Sequence, residues 1–394
     1  MKNRNLLLGC ALALALTAGA QTPSTLDQIL RSVQTHNTEL RALQSAATAE
    51  KAENQAENNL TDPTVDYLRQ HNTLEHGQST EFNAIQGFDF PTQYITRHRA
   101  ITLRNSAVDR QYEAARREVL LQAKQLCLQM IFLNRQRELL DQRLTNAAAM
   151  EKHYDTRLQT GDANILELNK IKMERMNVNA ERARNISDYR TALQQLLALN
   201  GNQALEFDGR EYPALGEAMD YNTLHDLALT GDAALEASSL EALAAQKQVG
   251  VDRQGWLPKL NVGFRRNTAT GGGADNGLYL GASVPLFENR KKVKAAKARA
   301  VEAQLTQQSE REKTEAAFQS VYNEVTQLRA ALDAYDIPLM FNTLDVLEKA
   351  FGEGELSVIE YFTEMECIYQ NLMAHGEVEY RYHQLVAELT KNQL

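Results

Sequence analysis

The stretch from Thr92 to Gln159 contains neither glycine nor proline. No other feature of the sequence restricts the possible folds of the chain as strongly. A single helix over this stretch would be about 100 Å long at ~1.5 Å per residue. Helices in globular proteins average about 11–12 residues, so no ordinary globular core can enclose this one. Apolar residues such as Leu120, Cys127 and Ile131 recur among Arg, Glu and Gln as in a coiled-coil seam. We therefore expect long coiled-coil helices.

The sequence repeats itself. The segment "LDQILRSVQTHNTEL" from Leu26 recurs as "LHDLALTGDAALEAS" from Leu224, and "TGDANILEL" recurs as "EGELSVIEY". Prolines recur at similar spacing, Pro63 with Pro258 and Pro91 with Pro285. Self-similarity at a nearly constant offset is typical of repeat architectures. It predicts two structural repeats, 21–210 and 211–394.

Both repeats have the same predicted order of a hairpin, a long helix and a return helix. In each, a proline, Pro91 or Pro285, marks the junction between strand and long helix. Pro338 should kink or locally distort the second long helix, because proline lacks the N–H of a helical hydrogen bond. The predicted elements are hairpin 64–90, long helix 92–159 and return helix 164–199, then hairpin 259–284, long helix 287–351 and return helix 357–391.

The hairpins alternate apolar and polar residues. Leu278, Leu280, Ala282 and Val284 would share one face of a strand. A lipid-facing strand needs only about 9–11 residues in such alternation, and its sheet must close into a ring. Four strands are too few to close a barrel of useful size. Several chains would have to pool their strands.

The first twenty residues have the pattern of a secretory signal peptide. Lys2 and Arg4 precede the apolar run Leu6–Leu16, and small residues follow at 18–20. We therefore expect residues 1–20 to be removed on export, with lipidation at Cys10 as the less favoured alternative. The formal net charge of −9 argues against a nucleic-acid partner, since phosphate binding favours a basic surface.

Each long helix is followed by a glycine and then by the letters of a capping box. In a capping box the Ser or Asn side chain accepts an amide hydrogen bond, and the Glu accepts one from the cap's own N–H. Capping is the favoured interpretation of Glu167 and Glu360, but their carboxylates could also form an acidic ring that favours cations at a pore mouth. The predicted tip residues are Gly161, Asn164, Leu166, Glu167, Gly354, Ser357, Ile359 and Glu360.

Nothing in the sequence indicates an enzyme. It has no Gly-rich phosphate loop, Cys/His cluster or convincing nucleophile–base pair, so we predict no catalytic residues, cofactor or metal site. His71 and His76 bracket a loop, where metal binding is not favoured. Cys127 and Cys367 are expected to be buried small apolar residues rather than a disulfide.

These features together resemble the TolC-like outer-membrane efflux proteins, the outer-membrane factors. "SVPLFENRKKVKAAKARA" (283–300) is the most specific segment, and the repeat supports it independently. The resemblance implies a mainly α fold with a small transmembrane β part. It further implies a homotrimer in which a 12-strand barrel continues into an α-helical tunnel. Such a protein lies in the outer membrane of a Gram-negative bacterium, with most of the chain in the periplasm.

The resemblance also implies a function, the duct of a tripartite efflux or export system. Tips 160–168 and 353–361 would dock a periplasmic adaptor (membrane fusion protein), to which an inner-membrane pump delivers substrate. Phe351 and Glu360 would line the entrance constriction. The resemblance does not specify which substrate is exported. The alternative is a soluble periplasmic coiled-coil adaptor, which would not need two hairpins related by the repeat.

Overall fold

The computed structural model describes residues 25–72, 77–214, 220–269 and 272–394. The predicted signal peptide, Cys10 and His76 lie outside these ranges. The first half contains α1 (Leu26–His36), α2 (Thr38–Ala56), β1 (Thr64–Asn72), β2 (Gly77–Phe88), α3 (Pro91–Thr160) and α4 (Ile165–Leu199). The second contains α5 (Tyr221–Thr230), α6 (Ala233–Gln254), β3 (Lys259–Ala269), β4 (Ala274–Ser283), α7 (Lys292–Asp333), α8 (Ile337–Gly352) and α9 (Val358–Leu389).

The predicted fold class, mainly helical with a small β part, is confirmed. The two halves follow the same order of elements, with one helix fewer in the first. None of the helices in the described ranges combines the length and apolar character that crossing a membrane requires.

Helix α3 is continuous over 70 residues, about 105 Å at ~1.5 Å per residue. Pro91 lies at its start, where the missing N–H removes no helical hydrogen bond. Gly161 ends the helix with φ 83°, a left-handed conformation that glycine adopts without steric cost. The long helix therefore begins at the sheet and ends at the first tip.

The prediction of a single helix over 287–351 is wrong. Residues 287–291 form turns in which Lys291 has φ 67°, and α7 begins only at Lys292. A second interruption follows α7, and α8 starts anew with Asp336 as N-cap, whose carboxylate accepts from the amide of Leu339 at 2.9 Å. Pro338 lies in the first turn of α8, where proline is tolerated. It therefore marks a new helix and does not kink an existing one.

The four strands form one antiparallel sheet in the order β1-β2-β3-β4. The central pair, β2 and β3, joins the two halves of the chain, with Ala84 opposite Phe264. Both hairpins thus belong to the same sheet, at the N-terminal end of α3.

Two apolar clusters hold the helices together. The larger packs α1 and α4 against the middle of α3 around Ile29, Leu128 and Leu196, and it includes the buried Cys127. The smaller lies closer to the tips and joins α3, α4, α8 and α9. Cys367 does not match its prediction, because it is an exposed free cysteine on α9 and not a buried one.

Candidate functional site

One face of the sheet is apolar across all four strands. Val65, Ala84, Phe264 and Leu278 are directly opposed from β1 to β4. Leu278 is 84% exposed, which is unusual for a large apolar side chain in a row of others. The other large exposed apolar residues on this face are Tyr67, Phe82, Val262 and Leu280.

The opposite face of the sheet is mainly polar, with Leu68 and Tyr279 as its exposed large apolar residues among the described strands. Asp66, Asn83 and Arg265 are opposed there across three strands. Glu81 accepts from the side-chain amide of Asn83 at 3.0 Å and pairs with Arg265 at 2.9 Å. The sheet therefore has one face suited to an apolar environment and one suited to water.

The strand-to-helix junctions lie beside Pro91 and Pro285. At the first, Arg97 pairs with Asp89 at 2.8 Å, and both side chains are less than one-fifth exposed. At the second, Pro285 is buried, and the side-chain amide of Asn289 donates to the backbone carbonyl of Gly255. Each junction is thus fixed by contacts between the end of a strand or helix and the start of a long helical segment.

The first tip is a compact turn between α3 and α4. After Gly161, the amide of Asp162 donates back to the carbonyl of Arg157 at 2.8 Å. The amide of Asn164 donates to Oε2 of Glu167 at 2.9 Å, and Oδ1 of Asn164 accepts from the amide of Leu166 at 3.0 Å. Glu167 therefore caps α4.

The second tip, between α8 and α9, has the same construction. Gly354 has φ 78°, and the amide of Ser357 donates to Oε2 of Glu360 at 2.9 Å. The amide of Glu360 donates in return to Oγ of Ser357 at 3.2 Å. The Ser357 amide lowers the pKa of Glu360, because it stabilises the ionised carboxylate. Glu360 thus caps α9 while its carboxylate stays exposed and charged.

Both tips expose an apolar side chain at the second residue of the return helix. Leu166 is 70% exposed on α4, and Ile359 is 63% exposed on α9. A buried residue lies close to each of them, since Leu168 follows Leu166 by two positions, Val358 directly precedes Ile359, and both pack in the smaller cluster. The tips therefore present paired apolar contacts on a rigid base.

Phe351 lies inside the packing that supports the second tip. Its ring stacks on Tyr361 with centroids 4.6 Å apart and on Tyr154 at 6.0 Å. Burial raises the pKa of Tyr361, in keeping with a ring enclosed by apolar neighbours. In this chain Phe351 therefore joins helices, whereas Glu360 is exposed.

Arg143 is a central residue that the sequence reasoning missed. Its side chain is 4% exposed and pairs with Glu174 of α4 at 2.7 Å and Glu366 of α9 at 2.9 Å. Glu181 lies at 3.2 Å, and the guanidinium lies over the ring of Tyr369 at 4.9 Å. One charged side chain thus ties three helices together above the tips. The only signal in the sequence was a cation within the apolar seam of the long helix.

Potential metal ligands are scattered. Across the described ranges, no three His, Cys, Asp or Glu residues come together as a metal site would require. His71 is exposed on β1.

Comparisons with known proteins agree with this architecture. Residues 224–337 match the family model described as outer membrane efflux protein. No curated protein matches the sequence. The structure superposes on Campylobacter jejuni CmeC, an outer membrane channel, with a TM-score of 0.72 at 15% identity, over 99% of this chain and 93% of that one.

Two further solved structures show the same fold. The outer-membrane channel OprN gives a TM-score of 0.73 at 13% identity, over 93% of this chain and 89% of that one. The open state of the Neisseria gonorrhoeae MtrE outer membrane channel gives 0.70 at 15% identity, over 93% and 88%. Together with the family model, this shared fold confirms the resemblance to the TolC-like outer-membrane efflux protein family.

Proposed function

We propose that this chain is one subunit of an outer-membrane duct that serves a tripartite efflux or export system. The observation that carries the proposal is the exposed apolar face of the sheet, which lies about 100 Å along α3 from the tips. A surface of this kind is suited to lipid at one end of the molecule, while the charged helices and capped tips are suited to water.

Three copies would complete the duct. In the described chain, β1 and β4 are the edges of the sheet, and each edge offers unpaired backbone N–H and C=O groups. Pairing β4 of one copy with β1 of the next satisfies these groups. Twelve strands from three copies would close into a barrel with its apolar face toward lipid and its polar face, with Glu81 and Arg265, toward water.

The tips are the proposed docking site for a periplasmic adaptor, which an inner-membrane pump would supply with substrate. Leu166 and Ile359 offer exposed apolar contacts, and Gly161 and Gly354 shape the turns that present them. A partner with complementary apolar grooves would cover both side chains at each subunit.

Carboxylates make the tips acidic. Asp162, Glu353, Glu355 and Glu360 are exposed there, and three copies would place these charges around one opening. Such a ring raises the local concentration of cations and lowers that of anions. We therefore propose that the entrance favours cations, with Glu360 contributing and no chemical step performed by the protein.

A soluble periplasmic adaptor is the second candidate. The apolar face of the sheet disfavours it, since a water-soluble protein would expose Leu278 and Leu280 at a large cost in hydration.

Extraction of the native protein from the outer-membrane fraction in mild detergent, followed by native mass spectrometry, tests the proposal. A three-chain mass is expected, and the same sample should form ion-conducting pores in a planar lipid bilayer. A monomer recovered from the soluble periplasmic fraction would overturn the duct and favour the adaptor.

A further inference from the structure

Near the sheet, the two halves place equivalent residues 195 positions apart. The side chain of Asn54 on α2 donates to Asn105 on α3 at 3.0 Å. Their counterparts 195 positions further on, Val249 on α6 and Ala300 on α7, meet in one apolar cluster. The pairing of α2 with α3 is therefore repeated by α6 with α7.

The two halves meet where α6 of the second half packs on α3 of the first. Arg110 pairs with Glu236 at 3.1 Å, and Arg104 donates to Oε1 of Gln248 at 2.8 Å. A spacing of seven residues keeps side chains on nearly the same helix face. Beside these polar contacts, α6 carries a row of small or medium-sized apolar residues spaced seven positions apart. They are Ala237, Ala244 and Val251, and each is at most 8% exposed.

The equivalent row on α2 has no cover in the single chain. Its residues are Ala42, Ala49 and Ala56, and all three are exposed. Small side chains let α6 approach α3 closely, and α2 has the same small side chains on the same face. In the second half, the row on α6 packs against α3. No helix of the described chain packs against the equivalent row of α2.

The corresponding helix in the second half is α7. The counterpart of Arg104 is Arg299, and the counterpart of Gln248 is Glu53. Both are exposed, and neither has an ion-pair partner among the described residues. The equivalent contact would thus be an ion pair of opposite charges. Leu305, the counterpart of Arg110, is 61% exposed on the same helix.

The long helices of the two halves also differ in how many of their side chains are buried. Buried side chains recur along the whole of α3, whereas α7 has only Ala296, Ala300 and Phe318 among its described residues and α8 has none. Helix α3 lies between helices of both halves, and α7 lies at the edge of the chain. A second copy that covered α7 would make the two halves alike.

We infer that α2 of one copy packs along its Ala42–Ala49–Ala56 row against α7 of a neighbouring copy, with Glu53 paired to the neighbour's equivalent of Arg299 across the interface. The two surfaces differ, so the contact is head-to-tail, and it can repeat around a ring until the ring closes. The inference rests on the proposed trimer and adds which helix faces form its subunit contact.

Charge reversal in the full-length protein, extracted in detergent, tests the contact. Glu53→Lys and Arg299→Glu should each lower the association constant of the trimer by at least about tenfold, because like charges would then face each other at every interface. The double variant should return to within about threefold of the native value, since the pair is restored with its charges exchanged.

Each helix offers a matched control. Lys297→Glu makes the same change of charge on α7 as Arg299→Glu does. The α3 residue that corresponds to Lys297 is Thr102, which stays exposed even though helices of both halves pack against α3. Thr48→Lys adds a cation to α2 on the face where its counterpart Leu243 remains 45% exposed. Both controls should assemble like the native protein.

A bismaleimide cross-linker gives a second measurement that does not depend on weakened assembly. In a Cys367→Ser background, Glu53→Cys together with Arg299→Cys should give covalent dimers and trimers on a denaturing gel, and either cysteine alone should give none. A native trimer that shows no cross-linking and no effect of charge reversal would overturn the inference and leave the proposed duct intact. Monomers from the native chain would instead overturn the duct itself.

Discussion

Replacing Arg143 with methionine should destabilise the helical part more than any exposed charge change. Arg143 is 4% exposed, and its partner Glu174 is 11% exposed, so removal of the guanidinium leaves a nearly buried carboxylate without its cation. Loss of one partner of a buried pair costs about 3–5 kcal/mol. The ion pairs with Glu181 and Glu366 add little, because those carboxylates are more than 40% exposed.

The expected loss can be read as a fall in the thermal midpoint. At about 2 °C per kcal/mol for a chain of this size, a loss of about 3–5 kcal/mol lowers the midpoint by about 6–10 °C. Far-UV circular dichroism of the detergent-solubilised protein measures it directly, since the signal comes mainly from helix. Arg182→Met is the matched control, because Arg182 pairs with Asp141 at 2.5 Å and both are more than one-third exposed. It should shift the midpoint by no more than about 2 °C, as exposed ion pairs contribute about 0–1 kcal/mol.

A double variant separates the buried charge from the lost packing. Adding Glu174→Gln to Arg143→Met removes the uncompensated carboxylate, so the double variant should be more stable than Arg143→Met alone. Equal losses from Arg143→Met and Arg182→Met, or no recovery in the double variant, would refute the assignment of Arg143 as the buried tie between three helices.

Three further predictions concern the tips and the pH dependence. Gly161→Pro or Gly354→Pro should abolish export in cells yet leave the protein in the outer membrane, because each disrupts a left-handed turn far from the sheet; normal export by both would refute the docking site. Glu360→Gln keeps a side chain that can cap α9 but removes the charge, so reversal potentials in bilayers should show weaker cation preference, and an unchanged preference would leave Glu360 with capping alone. Burial lowers the pKa of His383 to about 4, so the native state resists its protonation. Stability should therefore fall as the pH decreases from about 6.5 to about 4, and His383→Phe should flatten thermal midpoints over that range if this histidine is responsible.

Local signals in the sequence predicted the tips well. One signal is a glycine at a position that needs a left-handed conformation, and the other is a Ser or Asn three residues before a Glu. Both act within one turn of helix, so Gly161 and Ser357 could be interpreted without knowledge of the fold. The alternation in the strands was equally local, and Leu278 lies on the apolar face as expected.

Interactions between distant parts of the chain could not be predicted in the same way. The three carboxylates around Arg143 come from α4 and α9, and Glu366 is 223 residues away in sequence. Family resemblance places Phe351 at the entrance constriction, and only the fold shows that its ring stacks on two tyrosines of the supporting cluster. Pro338 was ambiguous for another reason, since proline both kinks a helix and starts one, and the N-cap at Asp336 decides between them.

The divergence of the two halves explains how a duplicated chain can avoid packing its helices in the wrong order. Within one chain, Arg110 of α3 faces Glu236 of α6. The α2 residue equivalent to Glu236 is Arg41, so α2 of a second copy placed on α3 would bring Arg41 against Arg110. At the α7 contact inferred above, Arg41 would meet the apolar Leu305 instead, and the attraction comes from the neighbouring Glu53. Specificity between similar surfaces requires repulsion in the wrong pairing as well as attraction in the right one. The two halves thus share the small residues on the packing face, and they differ in the charged residues beside it, which distinguish the two interfaces.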